Sequence, residues 1–269
     1  MKPGQFRMFR SSVTGIEAVA AETGHSFPRH THDQFGIGVI ERGAQISLSG
    51  RGVVRAEAGD IITLNPNEVH DGMPVGESRA WSMLYFDPRL IADLLDDIGL
   101  GDASGSEFPS PVIRNEQAAA RFRTLFSTVI VQGGSEAALR HDVLLLSVVA
   151  DVMREQRPAD DCIAAPAAIT RARDLIDDDP AAPLTLADLA EVSGLSRFQL
   201  LRGFAKATGL TPHAYLLQRR IHGARRLIAG GMPLAEAAFA SGFADQSHMT
   251  RIFVRNFGVS PRTYADTMR

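Results

Sequence analysis

Residues 202–215 read RGFAKATGLTPHAY, and residues 251–264 read RIFVRNFGVSPRTY. Arg202 matches Arg251, Phe204 matches Phe253, Gly209 matches Gly258, Pro212 matches Pro261 and Tyr215 matches Tyr264, each pair 49 positions apart. Thr211 and Ser260 add a hydroxyl at the same offset. Two of the chain's three tyrosines take part. A repeat has to be read before local propensity, because each copy is one supersecondary unit and the copies together fix the architecture.

Upstream of the first copy, Thr185 is a helix cap, and Leu186, Leu189, Ala190 and Val192 form an apolar stripe behind it. Gly194 ends that helix with the positive backbone angle glycine takes freely. Ser196 then caps a second helix running to about Ala207. Ala190-x-x-x-Gly194 reads as a small-residue step that brings the two helices close, and Ala238-x-x-x-Gly242 repeats it at an offset of 48. Two close, angled helices joined by a glycine turn are the helix-turn-helix unit of DNA-binding proteins. On the second helix of each unit the helical period places Leu200 and Phe204, or Met249 and Phe253, on the core side. Arg202 and Arg251 then point outward. An outward arginine at this place suits a guanine edge or a phosphate. A solvated surface arginine is the plainer reading, and its recurrence in register weighs against that.

Between the units, Thr211-Pro212 opens a helix with a cap and a first-turn proline. Tyr215, Leu216, Ile221, Ala224, Leu227 and Ile228 form its apolar side, and Gly230-Gly231 closes it. Its arginines, Arg219, Arg220, Arg225 and Arg226, read as a solvated face with some members able to reach phosphate.

This C-terminal segment resembles the AraC/XylS family of bacterial transcription regulators. The resemblance rests on Leu186-Ala-Asp-Leu-Ala190, Gly194-Leu-Ser196, Leu200, Arg202, Phe204, Gly209, Pro212, Tyr215, Arg219, Ala224, Leu227, Ala238, Gly242-Phe243, Phe253, Gly258, Ser260-Pro261 and Tyr264. It implies an all-α domain of about seven helices whose two recognition helices enter successive major grooves of promoter DNA. Carried over by position, the base-facing candidates are Phe198, Leu201 and Arg202 in the first helix and Gln246, Ser247, Thr250 and Arg251 in the second. Leu201 departs from the hydrogen-bonding residue the family often has there, and suits a thymine methyl instead. The resemblance also implies a homodimer, with RNA polymerase as a candidate partner.

The length of 269 residues suits two domains. Prolines, aspartates and alanines from Arg157 to Pro166 mark a linker, giving domains at 1–157 and 166–269. Gly101–Glu107 reads as a surface loop. A net charge of −3 sits oddly with DNA binding until it is divided. Residues 166–269 carry 13 Lys+Arg against 9 Asp+Glu, and from Leu195 onward the balance is 11 against 3. The basic charge lies on the repeat, as an electrostatic footprint requires. A signal peptide or an apolar run long enough to span a membrane is not expected. The single cysteine, Cys162, excludes an intrachain disulfide and suits a reducing cytoplasm.

Residues 15–86 alternate strand-like runs with turn signals. The runs are Gln34–Ile40, Gln45–Leu48, Val53–Ala56, Ile61–Leu64 and Ala80–Phe86; the turns are Arg42-Gly43, Ser49-Gly50 and Ala58-Gly59-Asp60. Such a pattern predicts a barrel or jelly roll. His30 and His32, at i and i+2, fall on one face of a strand, and His70 follows Asn65-Pro-Asn-Glu-Val69. Gly24, His30, His32, Gly36 and Gly43, with Gly59, Pro66 and His70, resemble the two cupin motifs, with Gly36 where the first motif has glutamate. The run Asn65–Asp71 and Leu84-Tyr-Phe-Asp-Pro88 resemble the ligand-binding half of AraC-type regulators. The whole is therefore an α+β two-domain chain, a cupin-like β-barrel or jelly roll with trailing helices followed by the helical domain.

The three histidines read as polar lining of an effector pocket, as ligands of a divalent transition metal such as zinc or nickel, or as core. Trp81 and Tyr85 share strand parity and join the pocket or the core. Residues 116–156 read as helices, with a wide stripe from Val143 to Met153 that packs on the barrel or on a second subunit. The expected function is a transcription regulator controlled by a small-molecule effector. A metal-responsive regulator and a metal-dependent cupin enzyme fused to a DNA-binding domain are the alternatives.

Overall fold

The computed structural model describes residues 5–98, 100, 107–130, 135–154 and 166–268. The expected linker, Cys162 and positions 101–106 lie outside the described residues. The chain divides into two compact units, residues 1–27 with 31–160, and residues 161–269 with 28–30.

The first unit is built on one sheet: β1 (Gln5–Phe9), β2 (Ile16–Thr23), β3 (Phe27–His30), β4 (Phe35–Ser49), β5 (Gly52–Glu57), β6 (Ile61–Leu64), β7 (His70–Phe86) and β8 (Val112–Ile113). The order is β1-β2-β7-β4-β6-β8, with β3 paired on β7 and β5 on β4. The long antiparallel partners β4 and β7 carry it, Phe35 opposite Phe86 and Ile46 opposite Met73. Arg42-Gly43 is not a turn. The strand runs through it as a bulge, with register shifts on both sides of Arg42 and Gly43 at a φ of 72°. A bulge of this kind uses a left-handed glycine to insert one residue and bend the strand. Ser49-Gly50 and Gly59 do turn the chain, into β5 and β6.

Period-two alternation gives the sheet two dissimilar faces. Ile16, Ala18, Ile37, Val39, Ile61, Leu84 and Phe86 form one core with three helices. These are α1 (Pro88–Asp97), α2 (Glu116–Val129) and α3 (Ser135–Met153). Of the wide stripe on α3, Leu145, Val148, Val149 and Val152 are buried in this core, whereas Val143 is 55% exposed. Arg121 on α2 pairs with Asp151 on α3. The residues one step along each strand, Ile40, Ala56, Ile62 and Met83, line the other face with Leu64, Trp81 and Tyr85.

Among the described residues the second unit holds seven helices: α4 (Ala167–Asp178), α5 (Leu186–Ser193), α6 (Arg197–Thr208), α7 (Pro212–Ala229), α8 (Leu234–Ala240), α9 (Gln246–Phe257) and α10 (Pro261–Met268). The caps are where the sequence puts them. Thr185 and Ser196 each form a capping box, with Asp188 and Gln199. Thr211 accepts from the Ala214 N–H, with Pro212 at the first turn. Gly209 and Gly258 end α6 and α9 in the left-handed conformation, at φ of 75° and 72°. Among the described residues no helix is long and apolar enough to cross a membrane.

The two glycine turns differ in a way their spacing does not reveal. Gly194 has a φ of 68°, and a Cβ there meets nothing within 4 Å, so it serves the turn rather than a close helix approach. Gly242 has a φ of 78°, and a Cβ there falls 2.8 Å from the Ala181 Cα and 2.9 Å from the Ala181 oxygen. Gly242→Ala therefore combines left-handed strain with a backbone collision and should cost about 2–4 kcal/mol. Gly194→Ala carries the strain alone, about 1–2 kcal/mol. Urea denaturation of the two variants checks the order; equal losses contradict it.

Candidate functional site

The second helices of the two units are copies in structure as well as sequence. Each has 12 residues, and Arg197–Thr208 maps onto Gln246–Phe257 at the offset of 49. Leu200, Phe204, Met249 and Phe253 are fully buried. With those four inward, the opposite face must be outward, and Arg202 and Arg251 are exposed. Phe198 is 66% exposed and Leu201 38%. The Arg202 guanidinium lies 5.7 Å from the Phe198 ring centre, one turn away. On α9, Gln246 and Ser247 are exposed and Thr250 is half-buried. All seven expected base-facing positions thus lie on the outer sides of α6 and α9.

The α7 arginines depart from the expected solvated face. Arg219 pairs with Asp177 on α4, Nε to Oδ1 at 2.8 Å. Arg220 donates to the Pro180 and Ala182 carbonyls at 2.7 and 2.9 Å, and its pKa is lowered by burial. Arg225 is buried, its guanidinium 5.4 Å from the centres of both Phe257 and Tyr264. Arg226 alone is exposed. Three of the four brace the domain. Their partners lie on α4, the segment after it, α9 and α10, all out of reach of a periodicity argument.

In the sheet domain, His30, His32 and His70 are buried with one ring nitrogen of each within 4.8 Å of the others. The expectation that His30 and His32 share a strand is half right: β3 ends at His30, and His32 stands just beyond. The His32 carbonyl accepts from the Asn67 N–H at 2.6 Å, which ties it to the loop before His70. Glu68 braces that loop, accepting from the Asn65 backbone and side chain and from the Gly50 N–H. His30 Nδ1 lies 2.7 Å from the Pro28 carbonyl, and His70 Nδ1 3.0 Å from the Glu68 carbonyl. A carbonyl only accepts, so both rings are protonated at Nδ1 and carry the lone pair on Nε2 when neutral. Burial lowers the His70 pKa from 6.5 to about 4, which keeps it neutral near pH 7.

Three imidazoles, those of His30 and His70 anchored through Nδ1, are a donor set that suits zinc or nickel. No fourth ligand comes from Gly36, where a Cβ would lie 3.2 Å from the Leu64 Cβ. Tyr85 joins this group, its ring centre 5.0 Å from that of His32. Trp81 does not. It packs edge-on against Phe6 at 5.8 Å and Phe27 at 6.2 Å.

Sequence reasoning passed over the neighbour of Trp81 on the same strand parity. Arg79 is 2% exposed. It donates from Nε to Gln45 Oε1 at 2.9 Å, and from Nη1 and Nη2 to the His25 and Gly72 carbonyls, each at 3.2 Å. Its guanidinium stands 4.8 Å from the Trp81 ring centre and 5.9 Å from that of Phe27. The one available signal was its place at 79 in the inward series 81, 83, 85.

A sheet domain with a polar-lined second face, joined to a helical domain with two matched outward helices, defines a ligand-binding, DNA-binding transcription regulator. The AraC-like ligand binding domain family matches residues 13–149, and a helix-turn-helix domain family matches residues 189–267. The chain belongs to the AraC family of transcription regulators. It is similar to the uncharacterized HTH-type transcriptional regulator YbfI of Bacillus subtilis, with 28% identity covering 83% of this chain and 81% of that one. It is also similar to the HTH-type transcriptional activator RhaS of Klebsiella pneumoniae, with 24% identity covering 92% of each chain. Among solved structures, an apo variant of ToxT from Vibrio cholerae shares the fold at a TM-score of 0.58 and 15% identity, covering 97% of this chain and 100% of that one.

The division among the α7 arginines is testable by stability. Arg225→Ala removes a buried cation from between two rings and should lower unfolding free energy by about 2–4 kcal/mol. Arg226→Ala should change it by less than about 0.5 kcal/mol. Urea midpoints of the two variants against the parent decide the matter.

Proposed function

We propose that the chain reads one long promoter site with α6 and α9 together, through Phe198, Leu201 and Arg202 from the first helix and Gln246, Ser247, Thr250 and Arg251 from the second. The observation that carries this reading is the matched outer face of two equal helices, each with an arginine at the same place. Arg202 and Arg251 have the reach and fork geometry for a guanine edge. Leu201 and Phe198 offer an apolar surface to thymine methyls, so the first head discriminates by shape more than the second does. The sheet domain binds the effector on the face that carries the histidines with Tyr85 in one group and Trp81 in another. Effector occupancy changes DNA affinity only if the effector binds the active and inactive arrangements unequally. The exposed Val143 on α3 supports a homodimer through that helix. Residence in the cytoplasm and contact with RNA polymerase belong to the same reading. The domains are assigned as 1–157 and 166–269.

A second reading is favoured by the histidine geometry. His30 and His70, each with Nδ1 held by a carbonyl, would hold a divalent transition metal together with His32, and the metal would be the effector. Metal content of the purified protein and DNA affinity before and after chelation separate the two. An unchanged affinity after metal removal leaves the organic effector.

Arg202→Ala and Arg251→Ala should each weaken specific DNA binding by about 1–3 kcal/mol and relax preference at one base position. Binding measured by fluorescence anisotropy tests this, and two unaffected variants overturn the docking face. Affinity should also fall steeply between low and moderate salt, because each neutralised phosphate releases counterions. A flat salt response excludes the proposed DNA contact.

A further inference from the structure

Arg79 is a buried cation. Among the described residues no carboxylate lies within ion-pair distance of it. Thr23 is its partner across the β2 ladder, and the nearest acid on that strand, Glu22, pairs instead with Arg42. Its three hydrogen bonds all go to neutral oxygens: the Gln45 amide and the His25 and Gly72 carbonyls. Desolvation lowers its pKa from 12.5 to about 10, with no acidic group acting in the other direction, so it remains charged at neutral pH. Burying a charge is costly unless it is paired. A guanidinium has five N–H donors. The three bonds use one on each nitrogen, so one more remains on Nη1 and one on Nη2. Guanidinium N–H groups form charge-assisted hydrogen bonds to a carboxylate.

The surroundings specify the rest of the ligand. Phe27 and Trp81 flank the guanidinium, and Phe6 closes on both rings at 5.7 and 5.8 Å. Gln45 passes a further hydrogen bond to Ser47, 3.1 Å away, so the amide that fixes Arg79 is itself fixed. Gly72 admits the guanidinium, since a Cβ there would lie 3.1 Å from Nη2. The guanidinium is thus held by neutral groups and flanked by aromatic rings.

We infer that Arg79 is the anchor of the effector site, and that the effector is a small organic carboxylate whose charge pairs with the guanidinium while its apolar part lies on Phe27 and Trp81. This rests on the reading of the sheet domain as the effector domain and narrows it to a ligand class. The site is separate in its residues from the three histidines.

Trp81 is the only tryptophan in the chain, so its emission reports on this site without a label. The test titrates the full-length protein with benzoate, phenylacetate and octanoate, and with the primary amide of each. At least one acid should perturb Trp81 saturably, with its amide weaker by about tenfold or more. Arg79→Met should lose that preference, while Arg79→Lys keeps part of it. Amides binding as well as their acids, unchanged acid binding in Arg79→Met, or no acid perturbing Trp81 would each overturn the assignment. If Arg79→Met does not fold, the acid–amide comparison on the parent protein decides alone. DNA affinity measured on the same preparation keeps the two readings apart. Absent promoter binding removes the regulator reading, whereas intact DNA binding that responds only to a neutral ligand removes the Arg79 assignment alone.

Discussion

The helical domain depends on one ring contact made twice. Phe204 meets Tyr215 with centres 5.5 Å apart, and Phe253 meets Tyr264 at the same 5.5 Å. In each copy the phenylalanine is the inward residue of a recognition helix, and the tyrosine sits in the first turn of the next helix. The contact fixes the rotation of the recognition helix about its axis, and thereby what the helix shows to solvent. With Phe204 and Phe253 turned in, Arg202 and Arg251 are turned out by the helical period. The intervening Gly209 and Gly258, both left-handed, fold the chain back sharply enough for the rings to meet.

Tyr215 donates to Asp177 on α4 at 3.0 Å, and burial together with that carboxylate raises its pKa well above the ordinary phenol value. Tyr264 has the Arg225 guanidinium beside its ring. The first copy is thus fastened to α4 through an acid, which also holds Arg219. The second is fastened to α7 through a base. These attachments account for Arg219 and Arg225 of α7.

Local signals in the sequence carried the caps, the glycine ends, the repeat and the burial of Leu200, Phe204, Met249 and Phe253, because each depends on residues within a turn or two. Short apolar runs between turn signals likewise announced a β-rich first domain. Partners distant in sequence stayed hidden. Nothing near Arg220 points to the carbonyls of Pro180 and Ala182, and nothing near Arg79 points to His25 or Gly72. Arg42-Gly43 has the composition of a turn, and only the pairing of both flanks with β7 makes it a bulge. His32 looked strand-borne because i and i+2 spacing is silent about where a strand stops. The candidate site was therefore legible as a set of residue types on one face, and the company they keep was not.

The connecting helix α7, with 18 residues from Pro212 to Ala229, sets the phase between the two reading heads. At 1.5 Å and 100° per residue it is a rod of about 27 Å, and one inserted residue would turn the second head by about 100° relative to the first. Its length is therefore quantised. Single-residue insertions here would misalign the heads on any duplex, and the nearest change that restores their facing adds or removes about a full helical turn. A lineage carrying this helix can alter the bases it recognises through side chains on α6 and α9. It cannot drift gradually in the distance between them.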